Sequence, residues 1–247
     1  RLKDILNSPA KIKRVIIDEL AAVAKQYGEP RRSEILYEAE LPEDEDEDEG
    51  MPDYPVTVFY TREGYFKKIT PQSLRMSGEQ KLKEITVQME TKNNAELLFF
   101  TSKCQVYKCR VGDFDDGKAS VMGDYIAARL GMEEGETPVY MALTTDYKGH
   151  MFFLFANGKA AKVPMESYAT KQNRRKLLNA FSDKSPLVYA AHLHEECELA
   201  IYTSAGRMLL VNSAQVPAKQ TKNTAGVNVV TLKKNQSIIH VRRAANL

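Results

Sequence analysis

At 247 residues with 43% hydrophobic side chains, the chain has apolar material for one or two cored domains. No basic-then-apolar leader follows Arg1, and no run approaches the roughly 18 apolar residues of a membrane span, so a soluble protein is expected. Three scattered cysteines (Cys104, Cys109, Cys197) exclude a disulfide framework and read as free thiols of a reducing cytoplasm. The net charge of +2 conceals a segregation: residues 37–53 hold ten acidic groups and no Lys or Arg, whereas Tyr54 onward holds 27 basic against 18 acidic residues, a surplus of +9. Such a surplus favours anionic partners through long-range attraction and says nothing about fold.

The first 36 residues read as helical. Ser8 and Pro9 suit a helix start, and Ile12, Val15, Ile16, Leu20, Val23 and Tyr27 follow a three-to-four spacing that makes one apolar stripe. Gly28 is expected to end the helix in the left-handed region, and Pro30 to prevent its resumption. The stripe has no helical partner in the sequence given. Residues 37–53 follow, with the run Glu43-Asp-Glu-Asp-Glu-Asp-Glu49 between Pro42 and Gly50; seven adjacent like charges repel, so a solvated linker is expected.

Residues 54–247 change to short β-rich runs, and the runs repeat. Segments 56–69, 97–109, 151–163 and 199–211 share one form: an apolar strand, a tight turn, then a strand carrying a cation. Gly64, Cys104, Gly158 and Gly206 align at the turn, at separations of 40, 54 and 48 residues. Four residues beyond each turn stand Lys68, Lys108, Lys162 and, breaking the pattern, Leu210. Glycines suit a hairpin turn of positive φ; Cys104 does not, so that turn is expected to differ in type. The repeat length and strand content predict a mainly β fold, a β-propeller of about four recognisable blades after a short helical segment. The polar stretches 170–176 and 218–227 are expected to be outer strands and loops.

The repeats resemble the C-terminal domain of the bacterial type IIA DNA topoisomerase A subunits of DNA gyrase and topoisomerase IV. Thr61-Arg-Glu-Gly-Tyr-Phe-Lys-Lys68 is similar to that family's blade signature of threonine, glycine, an aromatic and lysine. Asn223-Thr-Ala-Gly-Val227 resembles a late-blade stretch, and Glu19-Leu20, Lys25, Tyr27-Gly28 and Arg31-Arg-Ser-Glu-Ile35 resemble the end of the breakage-reunion domain. The resemblance implies a β-pinwheel, with strands exchanged between neighbouring blades, that binds and bends duplex DNA for an ATP-dependent enzyme. It implies an A2B2 assembly with a second A subunit and with a B subunit supplying ATP hydrolysis and magnesium, located in the bacterial cytoplasm at the nucleoid. The cleaving tyrosine belongs to regions outside this sequence, so no catalytic residue, cofactor or metal is assigned here. The family's glutamine–glycine-rich box is degenerate: Gln72, Gly78 and Gln80 are present without a run of paired glycines, which leans toward topoisomerase IV-like relaxation and decatenation.

Phosphates are held by Lys and Arg with release of counterions. The recurring Lys68, Lys108 and Lys162, with the adjacent Lys67, are therefore expected to line one surface of the blades. Arg174, Arg175, Lys176, Lys219 and Lys222 extend the path, and Arg207 substitutes where the fourth unit lacks its lysine. The competing reading of these lysines is ordinary solvated strand residues that guard exposed edges. His192, His194 and Cys197 lack a closed four-ligand set, and 112–116 lacks spaced calcium ligands. The acidic linker reads as a flexible spacer, with competition against DNA for the basic rim as the alternative. A protein-interaction platform is the rival function; it calls for apolar or aromatic residues, not lysines, at the recurrent position.

Overall fold

The computed structural model describes residues 5–28, 52–76, 84–170 and 175–244. The chain divides into two units, Arg1–Glu43 and Asp44–Leu247. The first contains helix α1 (Pro9–Tyr27). Its stripe is fully formed but bare: Ile16, Leu20 and Val23 are each at least half exposed. Two details differ from the sequence reading. The Ser8 side chain makes no cap bond, and Gly28 is extended (φ −65°), with its N–H bonded to the Ala24 carbonyl. Glycine is needed there for space, since a Cβ would stand 2.2 Å from the Ala24 oxygen. Residues 37–51, most of the acidic linker, and 31–35 lie outside the described residues.

The second unit is four successive β-blades. Blade one is β1 (Pro55–Thr61), β2 (Tyr65–Ile69) and β3 (Ile85–Lys92), with helix α2 (Pro71–Met76) after the hairpin. Blade two is β4 (Glu96–Thr101), β5 (Val106–Arg110) and β7 (Pro138–Thr144), and β6 (Asp124–Tyr125) with helix α3 (Ile126–Arg129) lies between its second and third strands. Blade three is β8 (His150–Phe155), β9 (Lys159–Pro164) and β11 (Leu187–Leu193), interrupted by β10 (Lys176–Leu177). Blade four is β12 (Glu198–Thr203), β13 (Met208–Asn212) and β15 (Ile238–Arg243), interrupted by β14 (Val227–Asn228).

The two-residue strands are the exchanged ones. β6 leaves blade two to pair with β2, β10 leaves blade three to pair with β5, and β14 leaves blade four to pair with β9. The resulting orders are β3-β1-β2-β6, β10-β5-β4-β7, β11-β8-β9-β14 and, in blade four, β13-β12-β15. Of the stretches expected as outer strands and loops, 218–226 leads into β14 and Arg175 directly precedes β10, while residues 171–174 lie outside the described residues. Gly226 presses on β9 so closely that a Cβ would lie 2.3 Å from the Ala160 oxygen, and Gly123 stands likewise against Phe66. The glycine of the Asn223–Val227 motif is thus a contact requirement of strand exchange.

The central strands are continuously apolar because both their faces are buried. Along β4, Leu97 and Phe99 join a core with Val58 and Phe66 of blade one, whereas Leu98 and Phe100 join one with Met151 and Phe153 of blade three. Along β8, Phe152 and Leu154 turn toward Leu199 and Ile201 of blade four. One side chain in two faces each neighbour, so the period-2 geometry of a strand glues the stack.

All four hairpins close with the same turn: Gly64, Cys104, Gly158 and Gly206 each donate their N–H to the carbonyl three residues back. Cys104 holds φ +56° among glycines at +88°, +83° and +73°, so its turn does not differ in type as expected. The shared register imposes the left-handed conformation, at about 1–2 kcal/mol for a residue with a Cβ.

Candidate nucleic-acid interface

The repeat singles out Lys68, Lys108 and Lys162. Lys68, Lys108 and Lys162 pair in register with Val58, Leu98 and Phe152, each of which faces the following blade. Their stems are therefore driven into the boundary between blades, and Lys68 and Lys162 are only 2% and 6% exposed. Lys68 Nζ donates to Asn93 Oδ1 at 2.6 Å, lies 3.4 Å from Asp116 and stands over the Tyr54 ring. Lys108 Nζ bonds Thr170 at 3.2 Å, pairs with Glu96 at 3.4 Å and stands over Tyr147. Lys162 Nζ bonds Glu196 and lies 3.5 Å from the Ser213 carbonyl. Asn93, Tyr147 and Glu196 all lie in the turns that lead into the next blade's first strand.

A solvated row of lysines along one surface is thus not what the fold makes. Each ammonium is withdrawn from water and matched to acceptors, because a buried charge must be paired and hydrogen-bonded. Glu196 sits below the ordinary carboxylate range, held there by its bond from Lys162 and a second from Ser213. Lys67 is buried as well: its ammonium donates to the carbonyls of Lys118, Ala119 and Val121, and burial lowers its pKa. These lysines latch blades together.

The remaining candidates divide by exposure. Lys176 pairs with Glu133 at 2.7 Å and covers the Tyr107 ring. Glu133 also takes Lys103, and the two ammonium groups hold its pKa down to about 2. Arg175 is exposed and, with Arg129, lines a cleft of about 410 Å³ over Cys109 and Phe114. Arg207 and Lys219 are exposed, and Lys222 stands half-exposed over the Tyr168 ring. Gln72 is exposed on α2. Arg174, Gly78 and Gln80 lie outside the described residues.

Cations outside the candidate set that the fold leaves exposed or half-exposed include Arg129, Lys159, Lys233, Lys234, Arg242 and Arg243. Lys233-Lys234 was the available signal, a basic pair directly before the last strand. Arg242 stands over Tyr202, and Arg243 donates to the His192 carbonyl at 3.3 Å. The weaker constellations are occupied by structural bonds. His192 Nε2 bonds the Lys148 carbonyl at 2.8 Å, Asp113 accepts from the Arg110 N–H, and Asp116 accepts from Tyr54. No helix among the described residues is long and apolar enough to cross a membrane.

Comparison with known proteins agrees with this architecture. Residues 198–245 match the family described as DNA gyrase C-terminal domain, beta-propeller. The DNA gyrase A subunit of Lawsonia intracellularis is 26% identical over 237 residues, covering 91% of this chain and 28% of that protein. The A subunit of DNA topoisomerase 4 from Staphylococcus aureus is 24% identical, covering 97% of this chain and 31% of that one. The chain therefore spans less than a third of the length of these relatives. Among solved structures, the C-terminal domain of DNA topoisomerase IV superposes with a TM-score of 0.69 at 21% identity, over 79% of this chain and 62% of that one. The E. coli ParC C-terminal domain superposes with 0.59 at 16%, over 76% and 79%. The likeness read from the blade motifs is matched by the family model over residues 198–245, by these relatives at about a quarter identity, and by the fold of the solved structures.

Proposed function

Taking the chain as a C-terminal segment of a type IIA topoisomerase A subunit, in line with its family match and its relatives, we propose that it binds and bends duplex DNA for strand passage. The observation that carries this reading is the basic surplus: residues 54–247, the blades themselves, hold 27 basic and 18 acidic side chains. A phosphate backbone is recognised by such a surplus without reading base edges, and a curved cationic surface can offset the elastic cost of bending. On this reading cleavage, ATP hydrolysis and magnesium chemistry fall to the second A subunit, the B subunit and other regions of the enzyme. The absence of paired glycines around Gln72 supports topoisomerase IV-like relaxation and decatenation over supercoiling.

The test is binding of the chain to a duplex of about 40 base pairs of arbitrary sequence across a salt series. Micromolar or tighter binding that ignores sequence and weakens steeply with salt is the expected result. No binding at low salt removes the DNA role and brings forward the protein-platform reading.

A further inference from the structure

The blades are equivalent in fold and unequal in charge. Residues 54–92 hold seven basic and four acidic side chains, 93–144 five and eight, 145–197 eight and five, and 198–244 seven and one. Blade four owns almost no carboxylate to neutralise its cations. Among the described residues no ion pair involves it, whereas blades one to three carry several.

The imbalance is sharpest where the hairpins turn. The residue after each first strand donates its N–H to the segment leading into the same blade's outer strand: Arg62 to Glu84, Ser102 to Thr137, Ala156 to Pro186 and Ser204 to Ser237. Tip and lead-in segment are therefore neighbours in every blade. In blade one the tip cation Arg62 faces Glu84 at 3.9 Å, and in blade two Lys103 is bound by Glu133 at 2.9 Å. In blade four the tip cation is Arg207, and the lead-in segment supplies Lys233 and Lys234 instead of an acid. All three are exposed. Blade three adds Lys159, half-exposed beside its own turn. Its tip touches blade four directly, since Ile238 N–H bonds the Ala156 carbonyl at 2.9 Å and Val230 N–H the Gly158 carbonyl at 3.1 Å.

We propose that the hairpin tips of blades three and four form the anchoring edge for duplex DNA, with Lys159, Arg207, Lys233 and Lys234 taking backbone phosphates. This rests on the DNA-binding reading above and assigns it a place. The corresponding tips of blades one and two are internally neutralised and contribute little. Duplex DNA is thus held chiefly at the tips of blades three and four.

The experiment compares two variants of the chain that lose the same charge. One carries Lys159→Gln, Arg207→Gln, Lys233→Gln and Lys234→Gln; the other carries Arg62→Gln, Lys92→Gln, Lys103→Gln and Lys118→Gln. Binding to a duplex of about 40 base pairs is followed by anisotropy from low salt upward, with the thermal midpoint of each variant confirming the fold. At about 0.1 M salt the first variant is expected to lose on the order of 100-fold in affinity and to flatten the salt dependence by about three, while the second stays within about threefold of the parent. Equal losses in both variants overturn the anchoring edge in favour of undirected charge. An unchanged first variant overturns it while leaving DNA binding intact. Failure of the parent chain to bind at low salt overturns both this inference and the function it rests on.

Discussion

Blades three and four are cut from the same strand–turn–strand unit, yet among the described residues one is enclosed on both sides and the other leaves β13 as an edge. Blade three carries β14 along β9 and the Lys162–Glu196 pair at its boundary. In blade four, β13 forms the edge of its sheet, and its residue equivalent to Lys162 is Leu210, 46% exposed. Among the described residues the lysine stands at each of the three joints where the next blade supplies acceptors, and Leu210 stands where β13 is a sheet edge. What recurs in the sequence is therefore a property of the joint between blades, not of the blade. Charge at the recurring strand position is a bonding requirement of the interior, and exposed cations such as Arg207, Lys233 and Lys234 lie elsewhere, at irregular positions in turns.

The enclosed and open blades can be set against each other by mutation, and packing gives the largest contrast. Phe153 is fully buried, 5.6 Å from Phe100 and 5.2 Å from Phe181 between ring centres. Phe153→Ala is expected to cost about 3–5 kcal/mol in denaturant unfolding, whereas Tyr202→Ala in blade four costs about 1 kcal/mol. Comparable losses would mean that blade four is as enclosed as its neighbours.

The turn glycines provide the next contrast. Gly158 has φ +83° and would place a Cβ 2.3 Å from the Val230 oxygen; Gly206 has φ +73° and open space around it. Gly158→Ala should cost about 3 kcal/mol, from left-handed strain plus backbone displacement, and Gly206→Ala about 1 kcal/mol from strain alone. Equal thermal shifts would deny the tight seating of blade three's tip on the segment that follows it.

The smallest effect concerns the latch itself. Glu196→Ala leaves Lys162 buried beside the Ser213 carbonyl, but Glu196 is 44% exposed and its pairing is screened, so about 1–2 kcal/mol is expected. Because the folded pKa of Glu196 lies below its ordinary 4.5, this contribution is whole above that value and disappears as pH falls through the lower folded one. The stability gap between parent and variant should therefore close on acidification from about pH 4.5 downward; a gap independent of pH would assign the loss to something other than the ion pair. The matching change in the open blade, Leu210→Lys, should move stability by less than about 0.5 kcal/mol.

The architecture was legible because long apolar runs and tight turns recur, and both are local signals. The exchanged strands were not, since two residues carry no period and the pairings of Asp124, Lys176 and Val227 span long separations in sequence. The lysines were legible as a set, but their burial was hidden, because their partners Asp116, Glu96 and Glu196 fall at unequal places in the repeat. Lys233, Lys234 and Lys159 belong to no recurring lysine position, so recurrence does not mark them. At Cys104 the register that hairpin closure imposes outweighs residue preference, which is why a non-glycine takes the left-handed conformation there.

Strand exchange also sets an order of assembly. The strand that completes blade one is not available until the polypeptide has been made past Tyr125, and that of blade two not until it has passed Leu177. Each blade remains an unfinished sheet while its successor emerges, and then the two close together. Synthesis from the amino end thus zips this stack forward, each joint sealed by residues that the ribosome delivers late.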